Sequence, residues 1–126
     1  MTDDDYSEKI MVSTPWNYEA MMERMLHNNS IADTIIKLFL KDAPEQLKKL
    51  NNAINDENFK EIRQYSHSIK GSASNLGGEA MRSSASDMEQ FALKKDLNRI
   101  KSIHPTLLAQ YNELEELLID YVENRD

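Results

Sequence analysis

The sequence has no cysteine, few residues that interrupt helices (three glycines and three prolines), and no long apolar run. Without cysteine, the chain cannot form a disulfide, a thiolate metal site or a cysteine nucleophile. No stretch approaches the roughly 20 apolar residues that a membrane-spanning helix needs, and residues 1–9 lack the basic and then apolar order of a signal peptide. We therefore expect a soluble cytoplasmic protein without membrane insertion.

Positive charge is also in the minority, with 15 Lys and Arg against 22 Asp and Glu, a formal net charge of −7. Such a surface repels nucleic-acid phosphates unless cations are concentrated locally, so we expect no nucleic-acid partner. A chain of 126 residues can build one core but not a catalytic domain with a separate nucleotide-binding domain. We predict one domain over residues 14–126, preceded by an acidic tail or linker remnant over residues 1–13.

Apolar residues recur at steps of three and four, and the alternating β-branched runs typical of strands are missing. The pattern predicts an all-α protein, an antiparallel four-helix bundle with a short additional N-terminal helix. We expect the short helix after Pro15 or Asn17, and the second helix from a capping box that begins at Ser30, with a kink caused by Pro44. The inward-facing positions predicted for these two helices are Tyr18, Met21, Met22, Met25, Ile31, Ile35, Leu38, Phe39, Leu47, Leu50 and Ile54.

Asp56 is the expected cap of the third helix, and the Gly77-Gly78 pair is expected to supply the residue with positive φ that ends it. A fourth helix is predicted over residues 79–94, followed by a short helical piece near Leu97 and a last helix that starts near Pro105. The inward-facing positions predicted for these helices are Phe59, Ile62, Ser66, Ile69, Ala73, Leu76, Met81, Ala85, Met88, Ala92, Leu107, Leu108, Tyr111, Leu114, Leu117, Leu118 and Tyr121.

Polar residues on the third helix are as regular as the apolar ones, since Lys60, Arg63, His67, Lys70 and Ser74 follow at steps of three or four. Their face is offset from the apolar seam, which predicts an exposed His67 with cations one turn away on either side. Positive neighbours disfavour protonation of an imidazole, which keeps one ring nitrogen nucleophilic near neutral pH. Two interpretations of Lys60 and Arg63 stay open: a solvated helix face balanced by Glu57 and Glu61, or local positive charge that suits an acidic partner surface.

Gly71 is unusual because glycine inside a helix costs about 0.5–1 kcal/mol relative to alanine. It lies one turn beyond His67 and exposes the backbone beside the imidazole. This arrangement is suited to close approach by a large partner that brings its own reactive group.

Residues 67–77, His-Ser-Ile-Lys-Gly-Ser-Ala-Ser-Asn-Leu-Gly, resemble the His-x-(Leu/Ile)-Lys-Gly-x-(Ala/Ser)-x-x-(Leu/Ile)-Gly signature of histidine phosphotransfer (Hpt) domains. Residues 38–44 are similar to the family's Phe-x-x-Asp/Glu-x-Pro segment, and Met88-Glu89 stands in place of a common Leu-Glu pair. The resemblance covers residues 16–123. It implies a module that relays a phosphoryl group in bacterial-type two-component phosphorelays.

The resemblance implies that His67 is phosphorylated on its outward nitrogen and that Lys70 screens the phosphoryl charge. Gly71 would leave room for a docking receiver domain, and Glu89 would hydrogen-bond the other imidazole nitrogen. Gln90 remains an alternative to Glu89, because a one-residue shift of register across the Gly77-Gly78 turn would exchange them.

The partners implied by the resemblance are receiver domains of response regulators, of a hybrid histidine kinase, or of both. The receiver would bring the bound Mg²⁺, so we expect no cofactor, no metal and no nucleotide on this chain, which would act as a monomeric phosphocarrier and not as an enzyme. Two alternatives stay open: a non-catalytic helical adaptor that binds receiver domains, and the phosphotransfer domain of a larger chemotaxis-type or hybrid sensor kinase. The sequence leaves the donor, the acceptor, the signal and the direction of phosphate flow open.

Overall fold

The computed structural model describes residues 14–124, which fold into five helices; within this range there is no strand. The predicted acidic tail, residues 1–13, lies outside the described residues. The helices are α1 (Tyr18–Arg24), α2 (Asn29–Asn55), α3 (Phe59–Leu76), α4 (Glu79–Leu93) and α5 (Leu97–Asn124). Two- or three-residue connections make α2 to α5 consecutive antiparallel neighbours. The prediction of a four-helix bundle with one short N-terminal helix is confirmed.

Asparagine side chains begin the first three helices. The Asn28 side chain accepts a hydrogen bond from the Ile31 amide at 3.1 Å, and Asn58 accepts one from the Glu61 amide at 3.1 Å. The predicted starts at Ser30 and Asp56 are therefore wrong. Ser30 lies in the first turn of α2, and Asp56 is the C-cap of α2. An asparagine stands ahead of each first turn instead, and its side chain accepts from one of the free backbone amides there.

Both internal prolines lie inside continuous helices, Pro44 in α2 and Pro105 in α5. The prediction of a separate helical piece before Pro105 is wrong. Asp96 starts α5, because its carbonyl accepts from the Ile100 amide at 3.1 Å and its side chain accepts from the Arg99 amide at 3.2 Å. Proline removes one backbone donor, and the buried Ile100 and Leu107 anchor the helix on either side of that gap.

The core lies between α2, α3, α4 and α5, with α1 adding two buried methionines, and the predicted seams of α3 and α4 are confirmed. Two residues of α2 placed inward by the sequence are outside it, since Ile31 is 44% and Leu38 48% exposed. Ile36 is fully buried instead, and it lies about 140° around the helix from Ile31 at 3.6 residues per turn. Leu108 and Leu117 of α5 are likewise exposed. The largest fully buried side chains are Met21, Ile36, Leu50, Ile62, Ile69, Leu76, Met81, Met88, Ile100, Leu107, Leu114 and Leu118.

Residues 14–17 hold the turn between α3 and α4. The Trp16 indole donates to the Leu76 carbonyl at 2.9 Å, the Asn17 amide donates to the Gly77 carbonyl at 2.7 Å, and the Ala80 amide donates to the Thr14 carbonyl at 2.9 Å. Of the predicted Gly77-Gly78 pair it is Gly77 that has the positive φ, 79°, and a Cβ there would lie 2.3 Å from the Asn17 carbonyl oxygen. Only glycine fits this turn, and the turn sets which residues of α4 face α3.

Candidate functional site

His67 lies on the outer face of α3, with 67% of its side chain exposed. The opposite face of α3 packs into the bundle. It includes Ser66 and Ile69, which are 0% and 1% exposed. The helix thus fixes the backbone of His67 while the imidazole remains open to solvent, as the polar spacing predicts.

Glu89 of α4 holds the imidazole. Its Oε2 lies 2.8 Å from Nδ1 of His67, and the residue is only 8% exposed. A carboxylate can only accept, so Nδ1 carries the proton and Nε2 keeps its lone pair on the far side of the ring. Gln90, the alternative for this role, is exposed, and the α3–α4 register brings Glu89 to His67.

Lys70 also contacts Glu89, with its Nζ 2.5 Å from Oε1. Burial alone would raise the pKa of Glu89, but the hydrogen bonds from Lys70 and His67 and the positive charge of Lys70 outweigh it and hold the pKa below its usual range. Glu89 is therefore ionised across neutral pH. The structure brings His67, Lys70 and Glu89 together, and it places the Lys70 ammonium on a carboxylate that the sequence had not assigned to it.

Gly71 lies in regular helix one turn beyond His67, and it is exposed. A Cβ built there meets no heavy atom of residues 14–124 within 4 Å, its own turn of helix apart. Packing inside the described part of the chain therefore does not require glycine at this position. The bare backbone beside His67 is open to a second molecule.

Two grooves of different character border α3, and His67 lines one of them. One is open and polar, and it is lined by Lys60, Arg63, Gln64, His67, Ser68 and Glu89. The other runs between α2 and α3 and includes Leu38, Asp42 and Ser72. The exposed Leu38 belongs to this second groove and is a surface position, not the core position that the apolar periodicity predicts. The apolar stripe of α2 that faces the core runs through Ala32 and Ile36, which are fully buried.

Arg24 joins α1 to α3, a contact that the sequence pattern does not predict. Its guanidinium donates to the Ser74 carbonyl on α3, two turns beyond His67 on the same face. The short helix α1 is therefore tied to the end of the helix that bears His67.

Within residues 14–124, no helix is both long enough and apolar enough to cross a bilayer.

Comparison with known protein families shows that the Hpt domain family matches residues 34–123 of this chain. A curated relative, the phosphorelay intermediate protein rdeA of Dictyostelium discoideum, is 28% identical over 92 residues. That alignment covers 73% of this chain and 36% of rdeA, so the chain spans about a third of the length of this relative.

Two solved structures share the fold. Histidine-containing phosphotransfer protein B (HptB) from Pseudomonas aeruginosa PAO1 superposes with a TM-score of 0.80 at 17% identity, covering 88% of this chain and 96% of that one. The Hpt domain of a sensor hybrid histidine kinase from Shewanella gives a TM-score of 0.76 at 14% identity, covering 89% and 97%. Since the family match spans more than half of the chain and contains the whole of α3 and α4, this chain belongs to the Hpt domain family.

Proposed function

We propose that this chain relays a phosphoryl group between receiver-domain aspartates by carrying it on Nε2 of His67. The observation that carries the proposal is the exposed imidazole, 67% open, whose Nδ1 is held at 2.8 Å by an almost buried carboxylate. An imidazole fixed in this way has one nitrogen committed as a donor and the other available as a nucleophile.

In the proposed step, the Nε2 lone pair attacks the phosphorus of a receiver aspartyl phosphate. The N–P bond forms, the acyl P–O bond breaks, and its electron pair leaves with the aspartate carboxylate. The ring keeps its Nδ1 proton and becomes a phosphoimidazolium, which the ionised Glu89 stabilises through the existing hydrogen bond. Transfer to a second receiver aspartate reverses these changes.

Receiver docking is supported by features on and next to α3. At Gly71 the backbone is bare, and the exposed Leu38 of α2 offers apolar contact in the groove that it lines together with Ser72. The exposed Lys60 and Arg63 supply positive charge in a chain whose net charge is −7, which suits the acidic pocket around a receiver's phosphorylated aspartate. The receiver would bring Mg²⁺, and this chain would supply the nucleophile without a metal or nucleotide of its own. We place this relay in the cytoplasm, with the chain acting as a monomer.

The decisive experiment is transfer of ³²P from a phosphorylated receiver domain in the presence of Mg²⁺, using the natural protein and His67→Gln. The expected label is acid-labile and base-stable and is absent from His67→Gln. His27→Asn is the matched control, since His27 is exposed on the α1–α2 connection with φ 55°, which asparagine tolerates. Normal folding of the unlabelled variant is checked by thermal unfolding. Binding of several receivers without any transfer would favour the non-catalytic adaptor and refute the relay.

A further inference from the structure

The free site has one carboxylate shared by two hydrogen-bond donors, the imidazole of His67 and the ammonium of Lys70. Oε2 of Glu89 holds Nδ1 of His67 at 2.8 Å, and Oε1 holds Nζ of Lys70 at 2.5 Å. With both oxygens engaged, the ammonium nearest to His67 is already bound before any phosphoryl group arrives. A phosphohistidine can therefore use Lys70 only if this ion pair opens.

The two partners of the ion pair differ in freedom to move. The Glu89 side chain is 10% exposed and lies against α3. The Lys70 side chain is 31% exposed and carries its ammonium on a flexible four-carbon stem. Lys70 follows His67 by one turn of α3, where side chains start about 5–6 Å apart. A phosphoryl group on Nε2 carries up to two negative charges, against one on Glu89.

These contacts, taken with the relay function proposed above, lead to one further inference. We propose that Lys70 exchanges partners during the relay: Glu89 holds its ammonium while His67 is free, and the phosphoryl oxygens take it when His67 is phosphorylated. Glu89 then keeps only the hydrogen bond from Nδ1–H, and the phosphoimidazolium ring is its remaining positive partner. It acts as a positioning residue that competes with the phosphoryl group for Lys70.

The exchange has a consequence for the lifetime of the phosphohistidine. A carboxylate at position 89 draws Lys70 away from the phosphoryl group and keeps the proton on Nδ1, so that the ring departs as neutral imidazole, a better leaving group than imidazolate, when the N–P bond breaks. An amide would still accept from Nδ1–H but would compete weakly for an ammonium. The carboxylate thus keeps the phosphoryl group poised for onward transfer.

The test phosphorylates His67 without any receiver, using phosphoramidate, whose nitrogen leaves as ammonia. Hydrolysis is followed by ³¹P NMR for the natural protein, Lys70→Met, Glu89→Gln and the double variant. We expect Glu89→Gln to lengthen the half-life roughly threefold to tenfold, the range for a partly exposed charge-assisted hydrogen bond. Lys70→Met should shorten it by a larger factor in the Glu89→Gln background than in the natural protein. Lys101→Met, on the exposed face of α5, should change nothing.

A second measurement on the natural protein follows the Lys70 Nζ resonance, assigned by its loss in Lys70→Met, before and after phosphorylation. A shift on phosphorylation that vanishes as the phosphohistidine hydrolyses supports the exchange. An Nζ resonance that does not move, or equal Lys70→Met factors in both backgrounds, overturns it. Phosphoramidate replaces the receiver, so the two proposals can fail separately. If phosphoramidate phosphorylates His67 but no receiver transfers to it, the relay is refuted and the exchange is not. If a receiver transfers to His67 but the Lys70 Nζ resonance does not move, the exchange is refuted and the relay is not.

Discussion

Alanine at position 71 should make the protein more stable and a poorer phosphoryl acceptor. Gly71 lies inside α3, and a Cβ there meets no heavy atom of residues 14–124 within 4 Å beyond its own helical turn. Replacing a mid-helix glycine by alanine should then stabilise the fold by about 0.5–1 kcal/mol. For a domain of this size that gain raises Tm by about 2–4 °C.

The effect of Gly71 substitutions on transfer should have the opposite sign. If the bare backbone admits a receiver, Gly71→Ala slows transfer from a phosphorylated receiver, and the longer side chain of Gly71→Gln slows it further. Labelling by phosphoramidate, which needs no docking, should stay at the natural rate in both variants. Thermal unfolding and transfer kinetics on the same samples separate the two effects.

A suitable control is Ser102→Ala, an exposed serine-to-alanine change on α5 that gains helix propensity away from the His67 surface. It should raise Tm without slowing transfer. A drop in Tm for Gly71→Ala would show that α3 needs this glycine for its own packing. An unchanged receiver transfer rate for Gly71→Gln would remove Gly71 from the docking surface.

Three further changes test the fold and its ionisable groups. Gly77→Ala forces a Cβ against the Asn17 carbonyl at a φ of 79° and should cost at least about 1–3 kcal/mol in urea unfolding, the reverse of Gly71→Ala. Because the pKa of Glu89 is lowered in the folded state, its contribution is full above the ordinary value of 4.5 and is lost as pH falls through the lower folded value. Glu89→Gln should therefore flatten the acid side of the stability profile; an unchanged slope below pH 4.5 would contradict this. Burial lowers the pKa of His104, so stability should fall as pH drops below 6.5, and His104→Leu should reduce that slope in urea midpoints between pH 7.5 and pH 5.

The sequence predicts the relative positions of those site residues that lie on a single helix. His67, Lys70 and Gly71 all lie on α3, so their mutual placement follows from 3.6 residues per turn once the buried seam of Ile62 and Ile69 is recognised. The exposed imidazole and the bare backbone beside it follow from the same periodicity. Family resemblance supplied the chemistry of transfer, which periodicity alone does not give.

The contact of His67 with Glu89 could not be derived from the sequence pattern, because it crosses between helices. Its register depends on the α3–α4 turn, which hydrogen bonds from Trp16 and Asn17 hold from 60 residues away. Lys70 pairs with Glu89 because the two side chains meet in space across two helices. Residue spacing along one helix does not predict which nearby group a lysine contacts. The start of α5 was misplaced for a similar reason, since packing on both sides of Pro105 outweighs a local rule about proline.

The hydrogen bonds made by residues 14–17 give the N-terminal side of the domain a mechanical role. A polypeptide fused ahead of Thr14 would be attached through Trp16 and Asn17 to the end of the helix that bears His67, and not through a freely swinging tether. Tension or steric load at that end would act on the α3–α4 turn and on the spacing of His67 and Glu89. Affinity tags and reporter domains are therefore better joined after α5, so that the load bypasses the imidazole.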